Sequence, residues 1–242
     1  MEASTRSEIA QGVRDSWTVL LGFIPIGLAL GVLVVQMGFS WWWTPIFSTV
    51  IYAGSMEFLA LGLVTGGTSW FAAALTGLAV NFRHIFYGIT YPLHRISHPV
   101  ARAYAVYALI DEVYALTGKF GANGVQAGRP VSGARLVTIS AVCQLGWVGS
   151  GVVGALGGSA LDISVKGMEF ALTALFTVLA VEAFRESRDT SLAVTAVVCG
   201  LVAAVLLPGQ MLLVALTLYV ATLVARFASP ELDARMTWKA GA

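Results

Sequence analysis

Apolar runs of about twenty residues follow one another along most of this 242-residue chain. A helix needs about twenty apolar residues to cross a bilayer core of about 30 Å. Only 11% of the residues are charged, against about 25% in soluble domains. The mean hydropathy is +0.81. A soluble domain of this length could not bury so much apolar surface, so the sequence predicts an all-α, polytopic membrane helix bundle.

Eight runs qualify as candidate membrane-spanning segments. They lie near residues 17–36, 42–64, 69–90, 100–118, 134–156, 168–184, 190–207 and 210–228. Three larger divisions are expected: a cytoplasmic lead-in at 1–16, a single transmembrane domain at 17–228 and a cytoplasmic tail at 229–242. The Gly-rich stretch 119–133 is the long loop inside the transmembrane domain.

Lysine and arginine residues indicate the orientation, because cytoplasmic loops carry more of them than outer loops. With eight spans and the N-terminus inside, ten basic residues fall inside, and only Arg95, Arg102 and Lys166 fall outside. Both termini are therefore expected in the cytoplasm. The run at 100–118 is short and polar, and it either spans the membrane or re-enters, so seven spans are the alternative.

The stretch YAGSMEF at 52–58 has two features of interest. Small residues precede Glu57, and a helix broken near Gly54 would expose amide N–H groups to an anion. The alternative is simple close packing of helices through Gly54 and Ser55. In addition, SMEF at 55–58 is echoed by GMEF at 167–170, as an internal repeat across the long loop would produce.

Ionisable side chains occur inside the apolar runs, where each costs roughly 2.5–3.5 kcal/mol if it faces lipid. Four of them, Glu57, Arg83, Asp111 and Glu112, would together cost on the order of 10 kcal/mol. That is comparable to the folding stability of a whole protein. We therefore expect these side chains to face a shared polar cavity.

Helical spacing places further polar side chains of three neighbouring runs on common faces. The three sets are Asn81, His84 and Gly88; Tyr104, Tyr107, Asp111 and Tyr114; and Ser140, Gln144, Trp147 and Gly151. Either these faces line a path for a solute, or they hydrogen-bond one another and only lock the bundle. Intramembrane ionisable residues favour the first interpretation.

Other classes of site are disfavoured. His94 and His98 have helical metal-ligand spacing, but no third ligand lies near them, so no metal is predicted. Metalloprotease, P-loop and nucleophile-elbow motifs are missing from the sequence, which argues against an enzyme and against a cofactor. The net charge of +1 gives no indication of a nucleic-acid partner.

Several stretches resemble a known family almost from end to end. They are EIAQGV at 8–13, IPIGLALGVLVVQMGFSWW at 24–42, YAGSMEFLALGLV at 52–64, VNFRHIFYGITYPLH at 80–94, YALIDEVYALT at 107–117, KGMEFALTALFTVL at 166–179 and LPGQMLL at 207–213. With these stretches the chain resembles the AzlC family, the large subunits of bacterial branched-chain amino acid exporters. Within that family it is most similar to the actinobacterial exporters of isoleucine, leucine, valine and methionine.

The resemblance implies a function that the residues alone do not. It implies a two-component secondary exporter in the inner membrane, moving branched-chain amino acids and methionine out of the cytoplasm. The membrane potential or a proton gradient would drive it, and a small AzlD-type membrane subunit would be its partner. Many family members carry glutamine where this chain has Glu57, which argues against an essential acid role there.

Carried over to this chain, the resemblance indicates a set of site positions. They are Gly54, Ser55, Glu57, Asn81, Arg83, His84, Asp111 and Glu112, to which the hydroxyls of Tyr107 and Tyr114 are added, with Gln144 and Glu169 as secondary candidates.

A zwitterionic amino acid needs one positive and one negative group. We expect Arg83 or the broken helix end at Gly54 to bind the carboxylate. We expect Asp111, supported by Glu57 or Glu112, to bind the ammonium. An apolar pocket for the side chain is expected from Phe58, Leu61, Phe82 and Ile85. Two rival functions stay open: a channel-like module, and a structural subunit whose partner performs the transport.

Overall fold

The computed structural model describes residues 2–121, 123–126, 128–160, 177, 180–181, 184, 189–207 and 210–238. They form two compact units, one of residues 1–65 and 81–165 and the other of residues 66–80 and 166–242. Most described residues are helical, which confirms the all-α class. The predicted run at 168–184 lies almost wholly outside the described residues, and so does the second half of the predicted repeat at 167–170.

The helices are numbered here in chain order. They are α1 (Glu2–Gln36), α2 (Trp43–Val50), α3 (Gly54–Thr65), α4 (Trp70–Asn81), α5 (His84–Thr90), α6 (Pro99–Tyr107), α7 (Asp111–Gly118), α8 (Gly133–Ala160), α9 (Thr190–Leu206), α10 (Met211–Ala228) and α11 (Pro230–Met236). A single 3-10 turn covers Leu93–Arg95. The long loop carries a small antiparallel ribbon of β1 (Val125–Gln126) and β2 (Arg129–Pro130).

Helices α1 and α8 form the framework of the first unit. Both are long and apolar enough to cross a membrane. They run parallel, because Gly12 packs on Thr138 near their starts and Gly31 packs on Ala155 near their ends. At Gly31 a side chain would collide with the backbone of α8. The glycines thus allow the two backbones to approach closely, as small residues do between membrane helices.

Three of the predicted spans are broken near their middle. The predicted break near Gly54 is confirmed, because α2 ends at Val50 and α3 begins at Gly54. Tyr52 lies in this break with a φ of 41°, a left-handed conformation that is rare for a bulky residue. The run at 69–90 is also broken, at residues 82–83, and the run at 100–118 is broken at residues 108–110.

The run at 100–118 folds as a helical hairpin of α6 and α7, with both of its ends on the same side. Before α6, the Arg95 guanidinium donates to the Asn123 carbonyl, which follows α7, at 2.8 and 3.2 Å. Gly133, at the start of α8, packs against the backbone of Arg95 and Ile96. Both ends of the hairpin therefore lie beside the start of α8. This differs from the eight-span count, which placed Arg95 across the membrane from the 119–133 loop.

The tip of this hairpin reaches about halfway along α8. The start of α8 is marked by Arg135, which binds Asp15 of α1 at 2.6 Å, while Lys119 binds the same carboxylate at 3.0 Å. Tyr107, at the tip, bonds Gln144, which follows Arg135 by nine residues. At 1.5 Å per residue that distance is about 14 Å, close to half of a bilayer core of about 30 Å.

The second unit contains helices α9 and α10, which pack against each other. One end of this helix pair is closed by a buried polar cluster centred on Arg226. Its guanidinium donates to Asp189 at 3.1 Å, to Asp233 at 2.7 Å and to Ser191 at 2.9 Å. Asp233 belongs to α11, so the cluster fixes this C-terminal helix to the start of α9 and the end of α10.

Candidate functional site

The guanidinium of Arg83 and the carboxylate of Asp111 form an ion pair. Arg83 precedes the first residue of α5, and Asp111 is the first residue of α7. An acidic residue is favoured in the first turn of a helix, where amide N–H groups are unpaired. The two side chains are 51% and 37% exposed, so the pair is not sealed inside the protein. Two opposite charges inside the apolar runs therefore meet where two helices begin.

Aromatic and hydroxyl side chains position this pair. The Tyr87 hydroxyl donates to the second Asp111 oxygen at 2.8 Å. The Tyr87 ring stacks on Tyr114 with centroids 4.3 Å apart and planes 10° apart. The hydroxyls of Tyr114 and Thr90 are 2.7 Å apart. Helices α5 and α7 thus run side by side, because Tyr87 meets the first turn of α7 and Thr90 meets its second.

His84 and Asn81 complete this group. His84 Nε2 lies 3.7 Å from the carboxylate of Asp111, and its Nδ1 lies 3.1 Å from the carbonyl oxygen of Asn81. The Asn81 side-chain oxygen is buried without a hydrogen-bond partner among the described residues. His84 therefore bridges the break between α4 and α5 to the acidic end of α7.

A second group links the hairpin tip to α8 and α2. Tyr104 donates to the Gln144 side-chain oxygen at 2.8 Å, and the Gln144 amide donates to the Tyr107 hydroxyl at 2.7 Å. Tyr107 in turn donates to the backbone carbonyl of Thr49, in the last turn of α2. Its ring also lies 5.9 Å from the ring of Tyr52. The tip of the α6–α7 hairpin therefore touches the break between α2 and α3.

The third group is built around Glu57, which is fully buried. One carboxylate oxygen accepts from Ser48 at 2.7 Å, and the other accepts from the indole N–H of Trp147 at 2.8 Å. Gly54 lies against the same indole ring, and a Cβ there would sit 3.2 Å from it. Both oxygens of Glu57 are thus occupied by protein donors, and the carboxylate fastens α2, α3 and α8 together.

The predicted site residues are therefore brought together in three groups. Asn81, Arg83, His84, Asp111 and Tyr114 form the first, Tyr107 and Gln144 the second, and Gly54 and Glu57 the third. Glu112 is exposed beside Asp111, and Ser55 is half-buried on the first turn of α3. Glu169 lies outside the described residues.

Two expectations assumed unbroken helices and need correction. The stripe from Tyr104 to Tyr114 was expected on one helix, but the turn at 108–110 divides it, so its two halves meet different partners. The stripe from Asn81 to Gly88 is divided in the same way at residues 82–83. In both places the chain changes direction next to an ionisable residue, which helical spacing alone does not reveal.

Four side chains outside the predicted set of site residues hold the candidate residues in place. Ser48 and Trp147 bind Glu57, Tyr87 binds Asp111, and Thr90 binds Tyr114. Trp147 was noted on the polar stripe of α8 but was not assigned to the site. The spacing of Arg83, Tyr87 and Thr90, at four and then three residues, was the available signal for a continuous face.

The expected apolar pocket is divided between interior and surface. Phe58 and Leu61 belong to the buried core of the first unit. Phe82 and Ile85 flank Arg83 and His84 and are 52% and 58% exposed. Exposed apolar side chains are thus adjacent in sequence to Arg83 and His84.

Comparisons with known proteins agree with the membrane architecture. A family model described as AzlC protein matches residues 18–161. Inner membrane protein YgaZ of Escherichia coli is 32% identical over 203 residues, which cover 81% of each chain. The branched-chain amino acid transport protein AzlC of Bacillus subtilis is 27% identical over 86% of this chain and 82% of its own length.

A third relative, an uncharacterized membrane protein of Helicobacter pylori, is 30% identical over 90% of this chain and 96% of its own length. No solved structure matches the chain significantly. The family model covers more than half of the 242 residues and includes all three groups of site residues described above. The chain is therefore a membrane protein with a role in transport, and it belongs to the AzlC family.

Proposed function

We propose that this protein is the large subunit of a secondary exporter of branched-chain amino acids and methionine. The observation that carries the proposal is the ion pair of Arg83 and Asp111, which joins two helix starts and stays partly exposed. Charges are costly within a membrane and are usually retained there for function. An ion pair that only locked a bundle would be expected to be sealed from solvent.

The chemistry of the pair suits a zwitterion. Arg83 and Asp111 neutralise each other, so an amino acid can replace each partner by a group of the same charge. The substrate carboxylate would take the place of Asp111 on the guanidinium, where bidentate geometry favours a carboxylate. The substrate ammonium would take the place of Arg83 on Asp111. The number of charges paired in the membrane stays the same, which limits the cost of binding.

A branched or thioether side chain needs an apolar surface beside these charges. Phe82 is the proposed surface, because it precedes Arg83 and is exposed, whereas Ile85 follows Arg83 by two residues and shares the α5 face of Ile89. The name of the Bacillus subtilis relative, a branched-chain amino acid transport protein, supports the same substrate class. We propose Gln144 and Tyr107 as polar neighbours that hold the hairpin tip at the site.

Glu57 has a different proposed role. Both of its oxygens are occupied and its side chain is buried, so we assign it to the break between α2 and α3 and not to the substrate. The broken end at Gly54 is covered by the indole of Trp147 for the same reason. The ammonium is therefore assigned to Asp111, with exposed Glu112 beside it.

Membrane placement and partner complete the proposal. Asp15 of α1 binds Lys119 and Arg135, so the N-terminal end of α1 lies with the basic long loop. Basic loops favour the cytoplasmic side, which supports cytoplasmic termini in the inner membrane. A small AzlD-type membrane subunit is the proposed partner, as the family resemblance implies.

A transport assay tests the proposal. The chain, co-reconstituted with its AzlD-type subunit in proteoliposomes, should show saturable flux of leucine and methionine. Arg83→Ala and Asp111→Asn should abolish this flux while the protein still assembles. Arg129→Ala is the matched control, because Arg129 is exposed on β2 in the long loop, and it should keep the flux.

Three outcomes contradict the proposal in different ways. Full flux in both Arg83→Ala and Asp111→Asn would show that the pair does not bind substrate. Weakened assembly with full flux would indicate a structural subunit. An ion current that does not saturate with amino acid would indicate a channel.

A further inference from the structure

One cavity of the first unit lies between the Arg83–Asp111 pair and the end where α1 and α8 begin. Its volume is about 60 Å³. A water molecule needs roughly 10–15 Å³ of such space, so several can fit. The lining residues are Thr90, Tyr91, Pro92, Tyr114, Thr117, Gly118 and Gly121.

Hydroxyl groups form part of the lining of this cavity. Four of its seven residues carry hydroxyl groups. Tyr91 is only 5% exposed, and its hydroxyl has no hydrogen-bond partner among the described residues. A buried hydroxyl without a partner costs about 1–3 kcal/mol, and an ordered water would remove that cost. A cavity of this size with hydroxyl groups in its lining can hold water.

The two ends of the cavity give it a direction. Gly118 and Gly121 flank Lys119, which binds Asp15 at the end of the unit. At the opposite side, Tyr114 is hydrogen-bonded to Thr90, and its ring stacks on Tyr87. Tyr87 donates its hydroxyl proton to Asp111. One pair of hydroxyl groups thus lies at the cavity and another hydroxyl binds the acid of the ion pair, and stacked tyrosine rings join the two.

We propose that this cavity is a hydrated entry port that brings water and protons to Asp111 from the face where α1 and α8 begin. A hydronium ion in the port gives its proton to the Thr90–Tyr114 hydroxyl pair, which passes a proton on through water to the Tyr87 oxygen. Tyr87 gives its own proton to the Asp111 carboxylate and is restored by the incoming one. The net change is one water left behind and one neutral Asp111, which no longer pairs with Arg83.

This proposal rests on the proposed function only where it couples the proton to amino acid transport. Protonation of Asp111 would release the ammonium of a bound amino acid, which couples proton movement to transport. The port itself is a physical property of the protein, and it can be tested with no transported substrate.

Thiol labelling tests the port. Cys143 and Cys199 are buried and free, and both would first be replaced by alanine. Thr90→Cys lines the cavity, while its neighbour Ile89→Cys is 73% exposed and does not line it. A charged, membrane-impermeant methanethiosulfonate reagent reacts with thiolates, which form only in water.

In sealed vesicles, Thr90→Cys should be labelled from the same side as Asn123→Cys, which is exposed on the long loop. Ile89→Cys should stay unlabelled, because its side chain faces lipid. Labelling of Thr90→Cys from neither side, or only from the side opposite to Asn123→Cys, overturns the port. Equal labelling of Ile89→Cys also overturns it, since the reagent would then be reporting general access.

The proton path has its own test. Tyr114→Phe keeps the ring that stacks on Tyr87 and removes the hydroxyl. The number of protons taken up per leucine transported should fall in Tyr114→Phe, whereas it should stay unchanged in the control variant Arg129→Ala, which changes an exposed residue of the long loop. Normal proton uptake in this variant overturns the path. If the unmutated protein shows no leucine flux, the proposed function is contradicted. The labelling result then decides by itself whether the port exists.

Discussion

Replacement of Glu57 shows whether its carboxylate only holds helices together through hydrogen bonds or is also required, as an ionisable group, for transport. Its carboxylate is fully buried and accepts one hydrogen bond from Ser48 and one from Trp147. In Glu57→Gln the amide oxygen can still accept from Trp147, and the amide nitrogen can donate to the Ser48 hydroxyl, which then acts as acceptor. The Ser48 proton loses the carboxylate as its acceptor, but a serine hydroxyl can donate instead to a backbone carbonyl of its own helix. We expect a change in the free energy of unfolding below about 1 kcal/mol and nearly normal transport.

Glu57→Met keeps the length of the side chain and removes both acceptors. The Trp147 N–H is then buried without a partner, which costs about 1–3 kcal/mol. Ser48 loses less, because a serine hydroxyl can bond to a carbonyl in its own helix. The sum is a destabilisation of about 2–4 kcal/mol, or a fall in melting temperature of roughly 4–16 °C for a chain of this size.

Thermal unfolding of the detergent-solubilised protein, followed by monomer recovery on size exclusion, measures these shifts. Glu112→Met is the matched control, because Glu112 is exposed and its replacement should cost less than about 1 kcal/mol. Trp147→Phe combined with Glu57→Met removes both partners, so the double variant should be less unstable than the sum of the singles.

Two results would refute this account of Glu57. Loss of transport in a Glu57→Gln protein that unfolds at the normal temperature would mean that the ionisable carboxyl itself is required. A Glu57→Met protein as stable as the unmutated one would mean that the two hydrogen bonds do not hold the break together.

Three shorter predictions follow from other contacts. Gly31→Ala should destabilise the protein by about 1–3 kcal/mol or more, because its Cβ would collide with the α8 backbone. Gly22→Ala in the same helix meets open space and should be tolerated. The melting temperatures of the two variants test this difference. Tyr107→Phe removes the bond to the α2 break and should lower the melting temperature and reduce transport together. Hydrogen bonds donated by Ser191 hold the pKa of Asp189 below its ordinary value of 3.8. The ionised Asp189 therefore stabilises the protein at neutral pH, and this stabilisation is lost as the pH falls through the lowered pKa. Asp189→Asn should remove this acid dependence, measured as the protease resistance of the C-terminal helix.

Hydropathy and charge predicted the class of fold, because every lipid-facing helix needs a long apolar run. They also predicted that Arg83 and Asp111 would share a site, since an unpaired charge in the membrane is too costly. The break near Gly54 was predictable because small residues and an acid occur together there. These features depend on the local sequence and on the cost of transfer into lipid.

The other two breaks were not predictable in the same way. Residues 82–83 and 108–110 contain no glycine or proline, and the runs around them are long enough to span. The break at 108–110 is stabilised by contacts from distant parts of the chain, such as Tyr107 with Gln144 and with the carbonyl of Thr49. Long-range hydrogen bonds of this kind have no signature within a single run.

The hairpin of α6 and α7 also constrains the rest of the membrane topology. Helices α1 and α8 are parallel and begin at the same end, and residues 91–98 lie at that end too. Between the end of α1 and residue 91, the chain must therefore make one net crossing. It contains two predicted spans there, at 42–64 and 69–90, so one of them must return to the side from which it enters.

We expect the returning run to be the one formed by α2 and α3. Ser48 and Glu57 are nine residues apart, which along a continuing helix would separate them by about 14 Å. Their side chains instead meet at 2.7 Å, so α3 folds back beside α2. The two hairpins would then enter from opposite faces and touch at mid-membrane through Tyr107 and Thr49.

Accessibility of residue 67 decides this question. If α2 and α3 return, Gly67→Cys lies on the outer face, opposite to Asn123→Cys, and the two should be labelled from different sides of sealed vesicles. Arg95 and Arg102 then lie on the inner side with the ten basic residues counted there, which makes twelve. Of the three basic residues first counted outside, Lys166 stays outside. Labelling of Gly67→Cys from the same side as Asn123→Cys would instead make α4 and α5 the returning run, and the two hairpin tips would not approach from opposite faces.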